Sequence, residues 1–469
     1  MNARYPATLL CCGLLSAAAA VADPPDQDLA LIPDDARQKQ PAAVATPSNP
    51  GQRVYLEGAF SVSSLRGDPV VSQPATQPVD WQARAFLDVR KEWKLAPDVG
   101  VTFSDRLNLR GENDISFPNH ENVINDLREA FATWELTDRA YVDAGRINLK
   151  SGVALGFNPT DFFRTRAVVE PLSADPTVLR EDRLGTLMVR AQSLGPWGSL
   201  SMAFAPSFYA PTPIYSNTAL PSFNPSLDRT NAANRFLAKA SFDLAENASS
   251  EVLVFRKGAE TLFGENLTLV LGQKVTAYAE WAAGRRADLI VDALRYGRMT
   301  GTLPAGVGVL LPTDPTERFR SELSVGASYT TERKVTFNLE FWLNQTGFTQ
   351  SDWNHWFALG GKRTASGQIR GPLWFIRGYA QDQGEPIGAH SVFLRITSVD
   401  TFIPNLEVTG FVDSDLADRS GLVQLGADYY LSDRWTFGGL ITATIGGRRS
   451  DFGSLSPAAT LLVKIARYL

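Results

Sequence analysis

Two stretches in the first quarter of the chain alternate apolar and polar residues with a period of two. In the first, Trp81, Ala83, Ala85, Leu87 and Val89 alternate with Gln82, Arg84, Phe86, Asp88 and Arg90. In the second, Val99, Val101, Phe103, Leu107 and Leu109 alternate with Gly100, Thr102, Ser104, Arg106, Asn108 and Arg110. Because successive side chains of a strand point to opposite faces, this period predicts β-strands with one apolar and one polar face.

The same alternation continues to the C-terminus, and the pattern suggests no helical region. A soluble sandwich buries its apolar face, whereas a membrane barrel turns that face to lipid and keeps a polar interior. Beyond the N-terminal leader, no stretch has the roughly 18 unbroken apolar residues that a membrane helix needs. We therefore predict an all-β fold, a single transmembrane antiparallel β-barrel with short periplasmic turns and long extracellular loops.

The number of strands follows from the connections. Nineteen segments fit the strand pattern, from Val54–Leu65 to Thr460–Leu469, and they include Leu373–Tyr379. A barrel with both termini in the periplasm needs an even number. Either a further strand lies within 344–372, around Trp356–Lys362, or one of the nineteen segments is not a strand. We predict about 18 strands, within a range of 16 to 20.

The N-terminus predicts export from the cytoplasm. Arg4 precedes an apolar core from Leu9 to Ala20, and Ala20-Val21-Ala22 forms a cleavage site. We expect a signal peptide at 1–22, a disordered periplasmic lead-in at 23–52, which is rich in proline and charge, and the barrel at 53–469. Both cysteines, Cys11 and Cys12, fall in the leader, so the mature chain has no disulfide.

The net charge and the positions of the arginines limit the functions that the chain can have. A net charge of −5 and a pI near 5.5 argue against a nucleic-acid partner. Nine side chains are candidates to line the pore: Arg84, Arg90, Arg106, Arg110, Arg128, Arg146, Arg190, Asp88 and Glu340. A ring of arginines raises the local concentration of anions. Alternatively, the arginines pair with carboxylates and so fill and stiffen the lumen.

The long connection at 150–182 is the candidate constriction. It contains the turn-forming sequence Asn158-Pro159-Thr160-Asp161 and several charges nearby. The candidate constriction residues are Asn158, Asp161, Arg164, Arg166 and Glu170. This loop either folds into the lumen and narrows the pore or lies on the rim.

Three segments carry a resemblance to a known family. They are Leu127–Phe131 with Ala144-Gly145-Arg146 and Gly156–Asp161, then Leu339–Gly347, and finally Gly446–Gly453. Together they resemble the alginate-export-like barrels and a related porin-like family of Gram-negative outer membranes, over about residues 127–469. The resemblance implies an outer-membrane barrel with a transport role and does not identify the cargo.

An enzyme is the rival class. His120, His355 and His390 are the only histidines, and no Gly-x-Ser-x-Gly, His-Glu-x-x-His or phosphate-binding glycine loop occurs. We therefore predict a channel that passes polar solutes, anions among them, with no catalysis and no cofactor. Export of a polysaccharide or other product, and a scaffold role in an envelope complex, are the alternatives. Expected partners are outer-membrane lipid and lipopolysaccharide, a polar solute or polymer cargo, and periplasmic or inner-membrane transport components.

Overall fold

A computed structural model describes residues 52–73, 79–112, 123–169, 172–214, 225–304, 311–362 and 365–469. The predicted signal peptide, all of the lead-in except Gln52, and Glu170 lie outside these residues. Eighteen antiparallel strands form one sheet. They are β1 (Gln52–Ser64), β2 (Trp81–Ala96), β3 (Val99–Glu112), β4 (Val123–Thr137), β5 (Ala140–Ile147), β6 (Thr186–Gly195), β7 (Gly198–Ala205), β8 (Arg235–Ala245), β9 (Ala248–Lys257), β10 (Glu260–Leu271), β11 (Val275–Arg286), β12 (Arg318–Thr330), β13 (Val335–Asn344), β14 (His390–Val399), β15 (Leu406–Asp415), β16 (Ser420–Ser432), β17 (Trp435–Ile445) and β18 (Ala459–Tyr468).

The sheet closes on itself. Each strand pairs with its neighbours in sequence, and β1 pairs with β18 from Tyr55 opposite Tyr468 to Ser64 opposite Ala459. A closed sheet leaves no edge strand, so every strand finds two hydrogen-bonding neighbours without water. The predicted barrel of 18 strands is confirmed.

The two faces of the sheet have the polarity of a membrane barrel. On β2, the side chain of Leu87 is 36% exposed while its neighbour Asp88 is 0% exposed. On β13, Leu339 is 55% exposed and Glu340 only 1%. The same inversion recurs around the barrel: exposed apolar side chains include Leu56, Phe60, Leu109, Val325, Phe341, Leu425, Ile441 and Val463. The apolar face is therefore the exterior.

The two ends of the barrel differ. At one end, which we call the short-turn end, connections such as 97–98, 138–139 and 433–434 have two residues. The other end, the long-loop end, carries the long connections. These contain the helices α1 (Pro176–Glu181), α2 (Leu227–Thr230), α3 (Leu289–Met299), α4 (Gln350–Gly360) and α5 (Gly367–Gln383), and a 3-10 turn at Phe452–Ser454. Within the described ranges, no helix is long and apolar enough to cross a membrane.

Two predictions fail at the long-loop end. Leu373–Tyr379, one of the nineteen predicted strands, is part of α5. Trp356–Lys362, the candidate for a further strand, begins inside α4, so of the two alternatives the false strand is the one observed. The expectation of no helical region is also wrong, because the long connections contain helices. Leu373, Ile376 and Ala380 are buried at spacings of three and four, which is the period of a helix face. A short run such as Leu-Trp-Phe-Ile satisfies either period, so tertiary packing decides.

The helices α3, α4 and α5 pack together, and we call them the helical cap. Their shared core contains fully buried Trp353, Trp356, Leu373 and Ile376, with Leu289 and Ala293 from α3. Val71 of the β1–β2 connection also joins this core. The helical cap thus covers an apolar cluster at the long-loop end of a barrel whose interior is polar.

Candidate functional site: the barrel interior and its inserted loop

The described residues of the connection between β5 and β6, 148–169 and 172–185, enter the lumen, and we call them the inserted loop. Glu280 on β11 holds its first half. This fully buried carboxylate accepts hydrogen bonds from the backbone N–H groups of Val153 (2.9 Å), Ala154 (3.0 Å) and Thr160 (2.8 Å). It also accepts from the Thr160 hydroxyl (2.8 Å) and the Asn158 amide (3.2 Å). A buried charge is tolerated here because donors surround it.

A second buried glutamate holds the next residues of the inserted loop. Glu340 on β13 accepts hydrogen bonds from the backbone N–H groups of Leu155 (2.5 Å) and Gly156 (3.0 Å). The Trp342 indole and the Tyr278 hydroxyl, both on the barrel wall, also donate to it at 2.8 Å. Glu340 was predicted to line the pore, and the structure places it on the inner face as an anchor of the inserted loop.

Two glycines allow this close approach. A Cβ atom on Gly152, whose φ is +94°, would lie 2.3 Å from the nearer Glu280 carboxylate oxygen. A Cβ atom on Gly156 would lie 2.1 Å from the Trp342 ring. Only glycine fits at either position, because any side chain would push the loop backbone away from the wall.

On the opposite wall, four charges form what we call the arginine–aspartate cluster: Arg106, Arg128, Asp88 and Asp182. Arg106 and Arg128 each donate to Asp88 at 2.7 Å. Asp182, from the end of the inserted loop, accepts from Arg106 (2.8 Å) and Arg128 (2.9 Å). Three of these residues were predicted to line the pore, and the structure brings them together as paired charges.

A bulge helps to build this cluster. Ser104 of β3 lies opposite Glu129, but Asp105 lies opposite Leu127, so Arg128 of β4 has no partner in the register. An extra residue of this kind re-aims side chains locally. Arg128 and Glu129 are therefore both directed to the interior, where Glu129 pairs with Arg90 at 2.6 Å.

Further contacts carry the inserted loop across the lumen. Asp175 accepts from Arg395 of β14 at 3.1 Å. The backbone of Ala174 donates to Gln424 of β16 at 2.9 Å. Within the loop, Asp161 pairs with Arg183 at 2.8 Å. The inserted loop thus touches the inner faces of β3, β11, β13, β14 and β16. That this loop narrows the pore stays a prediction.

The other predicted residues are also engaged. Arg190 pairs with Asp143 at 2.8 Å, and Arg110 lies 3.9 Å from Glu112. Arg84 stands opposite Arg110 in the β2–β3 register and also has interaction partners. In the loop, Arg164 donates to the backbone carbonyl of Gly384 at 3.0 Å, and Arg166 pairs with Asp382 of α5 at 3.1 Å.

One sector of the interior differs from this pattern, and we call it the basic sector: Arg146, Arg229, Arg235 and Lys257. Among the described residues, none of these four cations has a carboxylate within salt-bridge distance. Arg146 donates to the carbonyls of Gly185 and Pro225, and Arg229 donates to the carbonyl of Val168.

Within the basic sector, Arg235 and Lys257 face each other in the β8–β9 register. The Arg235 guanidinium donates to the Thr186 hydroxyl at 3.3 Å and lies 4.9 Å from the Phe163 ring centre. Only Arg146 was predicted. The parity of β8 and β9 would have placed Arg235 and Lys257 on the inner face, but each stands at a strand end, where sequence boundaries are least certain.

A polar cavity lies between the basic sector and the helical cap. Lys257, Glu260, Arg286 and Glu322 line it from the wall, and Asp292 and Glu385 line it from the long-loop connections. Burial, followed by the charge of Glu260, raises the pKa of Asp292 from 3.8 to about 6. Burial, followed by the charge of Glu322, raises the pKa of Glu385.

Arg377 links the helical cap to the barrel. Arg377 of α5 pairs with Asp451 and donates to the Ser454 hydroxyl at 2.7 Å, both on the β17–β18 connection. Its guanidinium also lies 4.9 to 5.5 Å from the ring centres of Trp353, Trp356 and Trp374. Such cation–π contacts strengthen when the cation is desolvated.

Within the described ranges, no group of three or more His, Cys, Asp or Glu side chains is placed to hold a metal ion. His355 lies on α4 beside Ser351 and His390 begins β14, while His120 lies outside the described residues.

No protein-family model and no curated protein matches the chain. Solved structures to which it is similar include OccK11 of Pseudomonas aeruginosa, with 10% identity, a TM-score of 0.49, and coverage of 89% of this chain and 95% of that one. For OmpF of Salmonella typhi, in complex with daunomycin, the identity is 10% and the TM-score is 0.40, with coverage of 89% of this chain and 97% of that one. For a triple mutant of Rhodopseudomonas blastica porin, the identity is 11% and the TM-score is 0.38, with coverage of 89% of this chain and 99% of that one.

The assignment of a closed barrel follows from the strand pairing within this chain. The resemblance to alginate-export-like barrels stays a prediction.

Proposed function

We propose that this chain is a porin-like channel of the Gram-negative outer membrane that passes small polar solutes. The observation that carries the proposal is the inverted polarity of a closed barrel, with Leu339 exposed outside and Glu340 buried inside, together with a charged interior. In this proposal the short-turn end faces the periplasm and the long-loop end faces the exterior, as in barrels with short periplasmic turns.

We further propose that the solute path runs between the inserted loop and the basic sector and that it favours anions. Where arginines pair with carboxylates, as in the arginine–aspartate cluster, their charges cancel and attract no ion. The cations of the basic sector have no such partners among the described residues, so they can concentrate anions in a lumen whose protein walls have a low dielectric.

Electrical recordings test this proposal. The full mature chain in a planar bilayer should give discrete conductance steps, and the reversal potential in a KCl gradient should indicate preference for chloride. Arg235→Gln with Lys257→Gln should shift the reversal potential toward potassium by removing two of the four cations of the basic sector. The matched control is Arg139→Gln with Arg333→Gln, two exposed arginines at the short-turn end. No conductance steps would contradict the channel, and an unchanged reversal potential would contradict the anion path.

The pKa shifts predict a pH dependence of the helical cap. The pKa of Asp292 is raised, so protonated Asp292 stabilises the packing of the helical cap on the barrel. This stabilisation is fully present below pH 3.8 and is lost as the pH rises through about 6. The pKa of Glu385 is also raised, so its protonated form stabilises the same packing. We therefore expect higher single-channel conductance at about pH 8 than at about pH 4. Asp292→Asn with Glu385→Gln, which mimics protonation, should hold the low value at both pH values, and a pH response that survives this change would be evidence against the mechanism.

A further inference from the structure

A row of outward-facing residues crosses six neighbouring strands at one level near the long-loop end. In the register, Phe204 stands opposite Phe236, and Phe236 opposite Arg256. Arg256 stands opposite Thr261, and Arg285 opposite Phe319. Because Leu262 lies opposite Gly284, Thr261 and Arg285 are also neighbours. Two arginines therefore occupy the middle of a row with phenylalanines on both sides.

The phenylalanines fix the depth of this row. Phe204, Phe236 and Phe319 are 48%, 40% and 59% exposed on the outer face. Aromatic girdles mark the two interfaces between a barrel's apolar band and the lipid headgroups. The row lies where the strands end at the long-loop end, so it belongs to the outer leaflet in the proposed orientation. Arg256 and Arg285 then lie at the level of lipid phosphates.

Both guanidinium groups are held in place and still available. Arg256 donates to the carbonyl of Gly258 at 3.2 Å, and Arg285 donates to the carbonyl of Glu317 at 3.4 Å. Both side chains are exposed, and neither has a carboxylate partner among the described residues. The β9–β10 connection has only two residues, Gly258 and Ala259, so no long loop of its own covers the rim here.

The spacing suits one anionic group. The two arginines stand on strands separated by β10, so their backbones are about 10 Å apart. Arginine side chains of that separation can converge on a phosphate, whose oxygens accept the paired N–H groups of a guanidinium. Below the row, exposed Val254 and Phe263 offer an apolar surface to acyl chains.

We infer that Arg256 and Arg285, with Thr261 between them, form a site for the phosphate of an outer-leaflet glycolipid. The site recognises phosphate through the two guanidinium groups and the acyl chains through the apolar surface below. This inference rests on the proposed outer-membrane location and is independent of whether the barrel conducts.

Native mass spectrometry of the full mature chain in detergent tests the site. The probes are bisphosphorylated lipid A, the same lipid after removal of its phosphates, and inorganic phosphate. Arg256→Gln with Arg285→Gln should weaken binding of the phosphorylated lipid at least about tenfold. The matched control is Arg139→Gln with Arg333→Gln, two exposed arginines at the short-turn end, and it should bind as the unaltered chain does. Each single variant, Arg256→Gln or Arg285→Gln, should show an intermediate loss.

Three results would overturn the inference. One is equal binding of the lipid by the double variant and the unaltered chain. Another is equal binding of the phosphorylated and dephosphorylated lipids, which would assign the retention to acyl chains alone. The third is full displacement of the lipid by inorganic phosphate at about tenfold excess, which would assign the site to a soluble anion. Conductance is not a readout, so the failure of this site and the failure of the proposed channel are distinguishable.

Discussion

Replacing Glu280 and Glu340 together by glutamine is expected to release the inserted loop and to raise single-channel conductance several-fold. Glu280 accepts five hydrogen bonds and Glu340 accepts four. Glutamine replaces one accepting oxygen with an NH₂ group, which then faces N–H donors. Each buried donor left unpaired costs about 1–3 kcal/mol, so the attached loop loses its advantage over a solvated one.

The matched control for this prediction is Glu265→Gln. Glu265 lies on β10, next to β11, but on the outer face and exposed, and it touches no part of the inserted loop. We expect its conductance to match that of the unaltered chain. If the double variant folds as a barrel and conducts like the control, the glutamates do not hold the loop in the conducting state.

Replacing Asp88 by alanine is expected to be the most destabilising single change in the arginine–aspartate cluster. Asp88 is fully buried between Arg106 and Arg128, which are themselves 5% and 4% exposed. Its removal leaves Arg106 and Arg128 with Asp182 as their one shared carboxylate among the described residues. Breaking a buried ion pair from one side costs about 3–5 kcal/mol, because the remaining charge has lost its compensation.

Urea unfolding in lipid vesicles measures this loss. Asp182→Asn should cost less than Asp88→Ala, because the Asp182 side chain is 22% exposed and water replaces part of what is lost. Asp433→Asn, in an exposed turn at the short-turn end, should leave the free energy of unfolding unchanged. Equal losses for Asp88→Ala and Asp433→Asn would mean that the cluster does not stabilise the barrel.

The faces of the barrel could be predicted from the sequence because they depend on local chemistry alone. The alternation from Trp81 to Arg90 places Leu87 outside and Asp88 inside, which is the arrangement observed. The sequence also assigned Arg106 and Arg128 to the interior. Their partner Asp182 could not be found in this way, because it arrives from a loop 76 residues away from Arg106.

The anchoring role of Glu280 could not be predicted from the alternation of apolar and polar residues. Its inward parity on β11 is visible in the sequence, but its donors come from residues 120 to 127 positions earlier in the chain. Periodicity describes which face a residue occupies and not what meets it there. The helical cap was missed because α5 is buried by α3 and α4, and that packing overrides the strand-like run at Leu373–Ile376.

The central claim is that the apolar face of this barrel meets lipid, and a spin-label scan of β17 tests it most directly. The chain's only cysteines are Cys11 and Cys12 in the predicted leader, so single cysteines can be labelled without background. In lipid vesicles, labels at Phe437, Ile441 and Ile445 should collide with oxygen dissolved in the bilayer. Labels at Thr436, Thr442 and Thr444 should not. Equal oxygen accessibility at both sets, or access at the threonines alone, would contradict the account.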